Sequence, residues 1–112
     1  MRAITILFSL ALISCNQSSD INIINNNGTF SSGETFIIEL YAPIYKEIMP
    51  SFYLFSDQDT LALPFDFEKQ CAVYKATHNI EKKHCYKGYV VYATADNEKK
   101  KSNYEIRYKI RN

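Results

Sequence analysis

The stretch YEIRYKIR at Tyr104–Arg111 alternates apolar and charged residues without a break. A period of two is typical of a β-strand that has one buried face and one solvated face. The pattern therefore predicts a strand near the end of the chain with its four apolar side chains pointing inward. The same alternation predicts an earlier strand at residues 35–40.

Outward from this stretch, the chain contains further short apolar or alternating runs separated by turn residues. No stretch of twelve residues keeps the apolar spacing of an amphipathic helix. Six or seven strands at intervals of about ten residues predict an all-β fold, an immunoglobulin-like antiparallel β-sandwich. A small closed β-barrel is the alternative. The predicted strands lie at residues 21–24, 35–40, 51–55, 60–63, 70–77, 84–94 and 104–111.

Length and charge limit the protein to one small domain. The chain has 112 residues, a hydrophobic content of 46% and 13 basic against 12 acidic side chains, a net charge of +1. This composition excludes a disordered chain and leaves room for a single core. The near-neutral charge gives no long-range attraction to nucleic acid, so no nucleic-acid partner is expected.

The first residues have the pattern of a bacterial lipoprotein signal. An apolar run at residues 3–13 is too short to span a bilayer and suits the apolar region of a signal peptide. It ends in Leu12-Ile13-Ser14-Cys15, which resembles a lipobox. The sequence therefore predicts a signal peptide at residues 1–14 and lipidation of the thiol of Cys15. An ordinary signal peptide that contains a cysteine is the alternative.

These signals predict a lipid-anchored domain. Residues 15–28 are expected to form the lipidated cysteine and a flexible tether, with a possible edge strand at 21–24, and residues 29–112 the sandwich. Asn16 follows Cys15, where an aspartate would favour inner-membrane retention in enterobacteria. The expected location is the cell envelope, with the outer membrane favoured and its periplasmic and surface faces both open.

Three stretches, in this order, resemble a known family. They are GETF at residues 33–36, AVYKA at 72–76 followed after a loop by EKKHCYKGYV at 81–90, and YEIRYKI at 104–110. Together they resemble an immunoglobulin-like domain of the GldM family, the shaft proteins of gliding motility and type IX secretion in Bacteroidota. The resemblance covers about residues 29–110 and implies the sandwich fold. Members of that family are longer and carry a membrane helix and several domains, so the resemblance implies no motor role and no catalytic residues.

Two cysteines remain beyond Cys15, and the oxidising envelope favours a disulfide between them. In a simple hairpin, Cys71 and Cys85 would be offset by about five residues, or roughly 16 Å, whereas a disulfide needs Cα atoms within about 7 Å. If the strands instead cross between sheets, both side chains point outward and apart. Two separate thiols are therefore expected, with a Cys71–Cys85 disulfide as the alternative.

Patterns for catalysis and metal binding are weak. His78, His84 and Cys85 surround one turn, but adjacent His-Cys side chains point to opposite faces of a strand. A polar turn with two solvated histidines is therefore expected rather than a zinc site. Asp66 and Glu68 are expected to form a polar edge rather than an acid–base pair. We expect no enzyme activity, no cofactor and no metal.

Aromatic residues are the remaining functional signal, because nine Tyr and seven Phe exceed what one small core must hold. Tyr41, Tyr45, Tyr53 and Tyr89 fall outside the predicted inward pattern or in predicted loops. Exposed Tyr is favoured at protein contacts, so these four residues are the candidate binding surface. The three lysines at residues 99–101 are expected in the loop before the last strand, as a solvated tip, with attraction to anionic lipid or polysaccharide as the alternative.

The sequence thus predicts a non-catalytic envelope lipoprotein that acts as a protein-binding or structural accessory module. Its expected partners are the membrane, through the lipid anchor, and another envelope protein. Two alternatives stay open. The exposed tyrosines would serve a glycan- or ligand-binding lipoprotein, and the segment at residues 41–55 would serve as the inhibitory loop of a small inhibitor or immunity lipoprotein.

Overall fold

The computed structural model describes residues 20–112, and over that range it contains strands and turns. No helix long and apolar enough to cross a membrane occurs among these residues. The predicted signal peptide, Cys15 and the first residues of the predicted tether lie outside the described range. The strands are β1 (Asn22–Ile24), β2 (Gly28–Ser31), β3 (Thr35–Tyr41), β4 (Ser51–Ser56), β5 (Asp59–Ala62), β6 (Phe65–Asp66), β7 (Cys71–Thr77), β8 (Lys82–Ala95) and β9 (Glu98–Arg111).

The strands form two sheets with a core between them. A four-stranded sheet has the order β1-β3-β7-β6, and a five-stranded sheet has the order β2-β9-β8-β4-β5. Neighbouring strands are antiparallel except β2 and β9, which run parallel. This all-β arrangement is a two-layer sandwich consistent with an immunoglobulin-like fold. The predicted fold class is therefore confirmed, in its sandwich form rather than as a closed barrel.

The inward positions of alternating strands build the core. Tyr104, Ile106, Tyr108 and Ile110 of β9 are each at most 3% exposed, so this predicted inward set is confirmed. A slip of one residue in the strand pairing would turn all four side chains outward. Because burial of each side chain of this size stabilises the fold by about 1.5–3 kcal/mol, the register is strongly determined. The four-stranded sheet contributes Phe36, Ile38, Leu40 and Ala72 to the same core.

Strands β8 and β9 form a long hairpin joined by a two-residue turn at Asp96-Asn97. Asn97 has a φ of 61°, in the left-handed region that asparagine tolerates better than most residues. The pairing continues from this turn to Lys82 opposite Ile110. The lysines at residues 99–101 lie inside β9, so their prediction as a loop is wrong. Backbone pairing does not require apolar side chains, and three charged residues in a row hide the alternation.

The sandwich also includes residues that the sequence places in the tether. Ile21 is 3% exposed within the core, and β1, the possible edge strand at 21–24, pairs with β3. The side chain of Asn26 then completes the edge of β9. Its amide oxygen accepts a hydrogen bond of 2.8 Å from the backbone N–H of Arg107, and its NH₂ donates one of 3.1 Å to the carbonyl oxygen of Glu105. Residues 21–28 are therefore part of the folded domain.

Candidate binding surface

Gly88 organises the strand pair that carries the candidate surface. The Tyr104 hydroxyl donates a hydrogen bond of 2.7 Å to the backbone carbonyl of Tyr53, on the strand next to Gly88. A Cβ atom at Gly88 would clash with that carbonyl oxygen and lie 2.7 Å from the ring of Tyr104. Only glycine therefore allows this close approach. Because Tyr53 lies directly opposite Tyr89 in the adjoining pair, the contact also positions both tyrosines.

The outer face of the five-stranded sheet carries a group of three rings, the outer aromatic cluster (Tyr53, Phe55 and Tyr89), of which Tyr53 and Tyr89 are half-buried. The Tyr53 and Tyr89 rings stack with centroids 4.9 Å apart, and the Phe55 centroid lies 5.7 Å from that of Tyr89. Phe55 is 46% exposed. The Nζ of Lys101 lies 4.3 Å from the Tyr89 ring centroid. Tyr53 on β4 and Lys101 on β9 thus contact the Tyr89 ring from the two strands that flank β8.

An open cavity of about 320 Å³ borders the outer aromatic cluster. One wall is the ring of Phe55, and the polar part includes Asn103 and the opposed pair Lys87 and Glu105. The cavity thus combines an apolar wall with hydrogen-bond donors and acceptors. The cavity is wide enough to admit one side chain, and residues next to that side chain would then contact the outer aromatic cluster.

The structure brings together only two of the four predicted surface tyrosines, Tyr53 and Tyr89. Tyr45 lies in the connection between β3 and β4, where its hydroxyl donates a hydrogen bond of 3.2 Å to the carboxylate of Asp96. Tyr41 lies on the outer face of the other sheet. Sequence reasoning missed Phe55 as a surface residue. A period of two counted from Tyr53 would have placed it on the same face.

Tyr41 belongs to a polar group on the outer face of the four-stranded sheet. Its hydroxyl donates a hydrogen bond of 3.0 Å to Glu39, whose carboxylate also accepts one of 2.9 Å from Lys69. The hydrogen bond with Cys71 and the one with Glu39 raise the pKa of Tyr41 to about 12. The hydrogen bonds from Lys69 and Tyr41 lower the pKa of Glu39. Burial raises the pKa of Cys71, which keeps this thiol protonated and unreactive.

Cys71 and Cys85 are both free thiols, and the alternative disulfide is not formed. Cys71 lies in β7 of the four-stranded sheet, whereas Cys85 lies in β8 of the five-stranded sheet, so the chain crosses between the sheets. Cys85 is exposed on the outer face. Cys71 is 0% exposed although its position in β7 faces outward. This differs from the sequence expectation, and the reason is that the Tyr41 group covers the thiol.

The two histidines lie in a half-buried cluster with tyrosines rather than in a solvated turn, so that expectation is wrong. The rings of His78 and His84 stack with centroids 4.0 Å apart, and the Nε2 of His78 is 2.7 Å from the hydroxyl of Tyr108. The reason is that β8 begins at Lys82, which makes His84 an inward position. Burial, with His78 and Lys82 nearby, lowers the pKa of His84.

The acidic residues considered for acid–base chemistry have a local structural role. The Oδ1 of Asp66 accepts hydrogen bonds of 3.0 Å from the backbone N–H of Glu68 and 3.1 Å from that of Lys69. This is the pattern of an aspartate that stabilises a turn. Within residues 20–112, no three His, Cys, Asp or Glu side chains converge in a group able to hold a metal ion.

No family model, curated protein or solved structure matches this chain. The resemblance to GldM-family domains therefore depends on the three sequence stretches and stays a prediction. The two-sheet arrangement described above is independent of it.

Proposed function

We propose that the chain is a lipid-anchored, non-catalytic binding module of the bacterial cell envelope. It binds another envelope protein through the outer aromatic cluster. The observation that supports this most is the grouping of the half-buried rings of Tyr53 and Tyr89 with the exposed ring of Phe55 beside an open cavity. Clustered aromatic side chains supply a large share of the binding energy at many protein interfaces.

The orientation of the rings favours a protein partner over a glycan. A sugar stacks on a free, flat ring face, but the Tyr89 ring already stacks on Tyr53 and lies 4.3 Å from the Nζ of Lys101. The ring edge and hydroxyl of Tyr89 remain for contact. An aromatic edge and a hydroxyl suit the mixed apolar and hydrogen-bonding contacts of a protein interface.

The non-catalytic part of the proposal is supported by the roles that acid–base side chains already have. Asp66 accepts two backbone N–H groups, and His78 is hydrogen-bonded to Tyr108. The thiol of Cys71 is buried with a raised pKa. None of these three groups is placed as a free nucleophile or base facing a cavity of the candidate surface.

The lipid anchor is tested by metabolic labelling with a fatty-acid analogue. We expect label on the wild-type chain, loss of label in Cys15→Ala, and retention of label in Cys85→Ala, the matched control at an exposed cysteine. Label that persists in Cys15→Ala would contradict the anchor. Fractionation of the envelope would then test the expected outer-membrane location of the labelled protein.

The binding surface is tested by placing the photo-crosslinking residue p-benzoylphenylalanine at Phe55 and irradiating living cells. The same residue at Ile37 is a matched control, because Ile37 is 43% exposed on the opposite sheet and Phe55 is 46% exposed. We expect a discrete, protease-sensitive adduct from position 55 and none of that size from position 37. The double change Tyr53→Ala and Tyr89→Ala should remove the adduct.

Two results would contradict the assigned surface. Adducts of the same size from both positions would mean that contact is unspecific. An adduct that resists protease but is removed by glycosidases would favour the glycan-binding alternative. If the captured protein is a gliding or secretion component, the GldM-family resemblance would extend to function.

A further inference from the structure

Strand β9 concentrates positive charge on one face. Its outward positions are the odd-numbered residues from 99 to 111, and five of these seven are basic. The remaining two are Asn103 and Glu105, and the Glu105 carboxylate is ion-paired at 2.6 Å with the guanidinium of Arg107. The face is therefore strongly basic on a chain whose net charge is only +1. The five outward cations are Lys99, Lys101, Arg107, Lys109 and Arg111.

The basic face extends onto β8 around a concave site. Lys83 lies opposite Lys109, and both line an open cavity of about 350 Å³ together with Arg107 and Cys85. Neither Lys83 nor Lys109 has a carboxylate within ion-pair distance in the part of the chain that the structure describes. A few lysines at the tip would be enough to prevent edge-to-edge pairing. The cations extend along the whole strand and surround a cavity, which is more than the prevention of edge-to-edge pairing requires.

The chain enters the domain beside the same strand. The carboxylate of Asp20 lies 3.7 Å from the Nζ of Lys100 and accepts a hydrogen bond of 3.2 Å from the hydroxyl of Tyr92. Five peptide units separate Asp20 from Cys15, and five residues of fully extended chain span at most about 18 Å. A lipid on Cys15 would therefore hold the Lys100 end of β9 within about 18 Å of the bilayer.

We infer that the outward face of β9 around Lys83, Arg107 and Lys109 lies on the membrane and binds the phosphate groups of anionic phospholipids. The tether argument depends on the lipid anchor proposed above. Basic residues close to an anionic bilayer are attracted to it within about one Debye length, and a basic patch is a common second signal beside an acyl chain. The outer aromatic cluster and its cavity border β9 at Lys101, Asn103 and Glu105, whereas Lys83 and Lys109 pair six residues further along the hairpin. Membrane contact at that end leaves the cluster available for a protein.

The exposed thiol of Cys85 is a native probe of this face, because it lies opposite Arg107 while Cys71 is 0% exposed. The purified lipoprotein is mixed with vesicles of phosphatidylcholine or of phosphatidylcholine and phosphatidylglycerol in equal parts. Flotation and the alkylation rate of Cys85 by a water-soluble maleimide are measured for both. We expect phosphatidylglycerol to slow alkylation by about tenfold at low salt. The slowing should disappear in 1 M salt, where the Debye length is about 3 Å.

Matched variants assign the effect to β9. Lys109→Glu should abolish most of the slowing, whereas Lys75→Glu, an exposed strand lysine on the other sheet, should leave it unchanged. Each result is expressed as the ratio of rates in the two vesicle types, so that a direct effect on the thiol cancels. Ile37→Cys in a Cys85→Ser background moves the probe to the opposite face, where the ratio should be close to one.

Flotation and alkylation separate the two proposals. Flotation with both vesicle types but equal alkylation rates would overturn the β9 inference and leave the anchor intact. Flotation only with phosphatidylglycerol vesicles would support the β9 face and contradict the anchor. Flotation with neither would contradict both. Protection of Cys85 by an acidic polysaccharide, without protection by phosphatidylglycerol, would overturn the lipid assignment in favour of an anionic glycan.

Discussion

The outer faces of the two sheets differ although their inner faces are alike. On the five-stranded sheet, the outer aromatic cluster and a row of cations face outward, with Glu105 the single carboxylate among the outward positions of β9. On the four-stranded sheet, the Glu39–Lys69 ion pair is neutral and the hydroxyls of Thr35 and Thr77 lie 2.7 Å apart. Inner faces must both be apolar to form a core, whereas outer faces are free to differ. The difference therefore supports the proposal that a partner binds the outer face of the five-stranded sheet.

The cysteines repeat this contrast. Cys71 faces outward on the four-stranded sheet but is covered by its own neighbours, and Cys85 faces outward on the five-stranded sheet and stays exposed. The four-stranded face is thus closed by contacts within the chain around Cys71, and the five-stranded face is left open around Cys85. The following predictions test that contrast, beginning with the largest expected effect.

Gly88→Ala should remove the order of the five-stranded face. The added Cβ would meet the carbonyl oxygen of Tyr53 and the ring of Tyr104, so β4 must move away from β8. Overpacking against backbone is costly, and we expect the free energy of unfolding to fall by about 3 kcal/mol. Urea denaturation measures it, with Lys87→Ala as the neighbouring control. A midpoint equal to that of the wild type would show that Gly88 does not position the outer aromatic cluster.

Cys71→Ser and Cys85→Ser should differ in cost because only the first thiol is buried. A hydroxyl at position 71 would lie in a closed site that now holds a weakly polar thiol, and we expect a loss of about 2 kcal/mol. The same change at exposed position 85 should stay within about 0.5 kcal/mol. Thermal or urea unfolding of the two variants measures the difference. Equal losses would mean that the four-stranded face is as open as the other.

Alkaline pH should weaken the closed face through Tyr41. Its pKa is 10.0 in the unfolded chain and about 12 in the fold, so the unfolded state loses this proton first. The unfolded state then binds fewer protons, and the free energy of unfolding falls as pH rises from 10 to 12. Unfolding curves across this range should decline less steeply in Tyr41→Phe. Below about pH 9, where Tyr41 is protonated in both states, the two proteins should have the same slope, and this range is the control.

Lys69→Met should have the smallest effect. The ion pair of Lys69 with Glu39 is solvent-exposed on the lysine side, and such pairs contribute little to stability. We expect a urea midpoint that is not resolved from that of the wild type. The matched change Lys101→Met removes the cation over Tyr89 and should be equally mild. A clear loss of stability in Lys69→Met alone would mean that the Lys69–Glu39 pair is needed to keep Cys71 buried.

Part of the fold could be predicted from local patterns. The alternation at Tyr104–Arg111 identified the inward set of β9, and similar runs located β3, β4, β7 and β8. The short strands β2 and β6 were not predicted, because two to four residues do not define a period. The strand at the lysines of residues 99–101 was not predicted, for another reason. Their strand is stabilised by backbone pairing with β8, which leaves no apolar signal in the sequence.

The candidate surface could be predicted only in part. Exposed tyrosines were expected from the excess of aromatic residues, and Tyr53 and Tyr89 do lie together. Nothing local indicates that Tyr41 belongs to the other sheet, since that depends on which strands pair. The net charge of +1 likewise hides the basic face of β9. A sum over the chain contains no information about which side chains share a surface.

The sequence by itself determined the all-β class, the inward residues of the long strands and the near-neutral composition. These follow from periodicity and residue type, which act over a few neighbouring residues. Only the tertiary structure decided that Cys71 is covered, that the histidines stack inside and that the cations of β9 form one open face. The physical reason is that burial and the sharing of a face depend on strand order and register. Both are set by contacts between residues far apart in the chain.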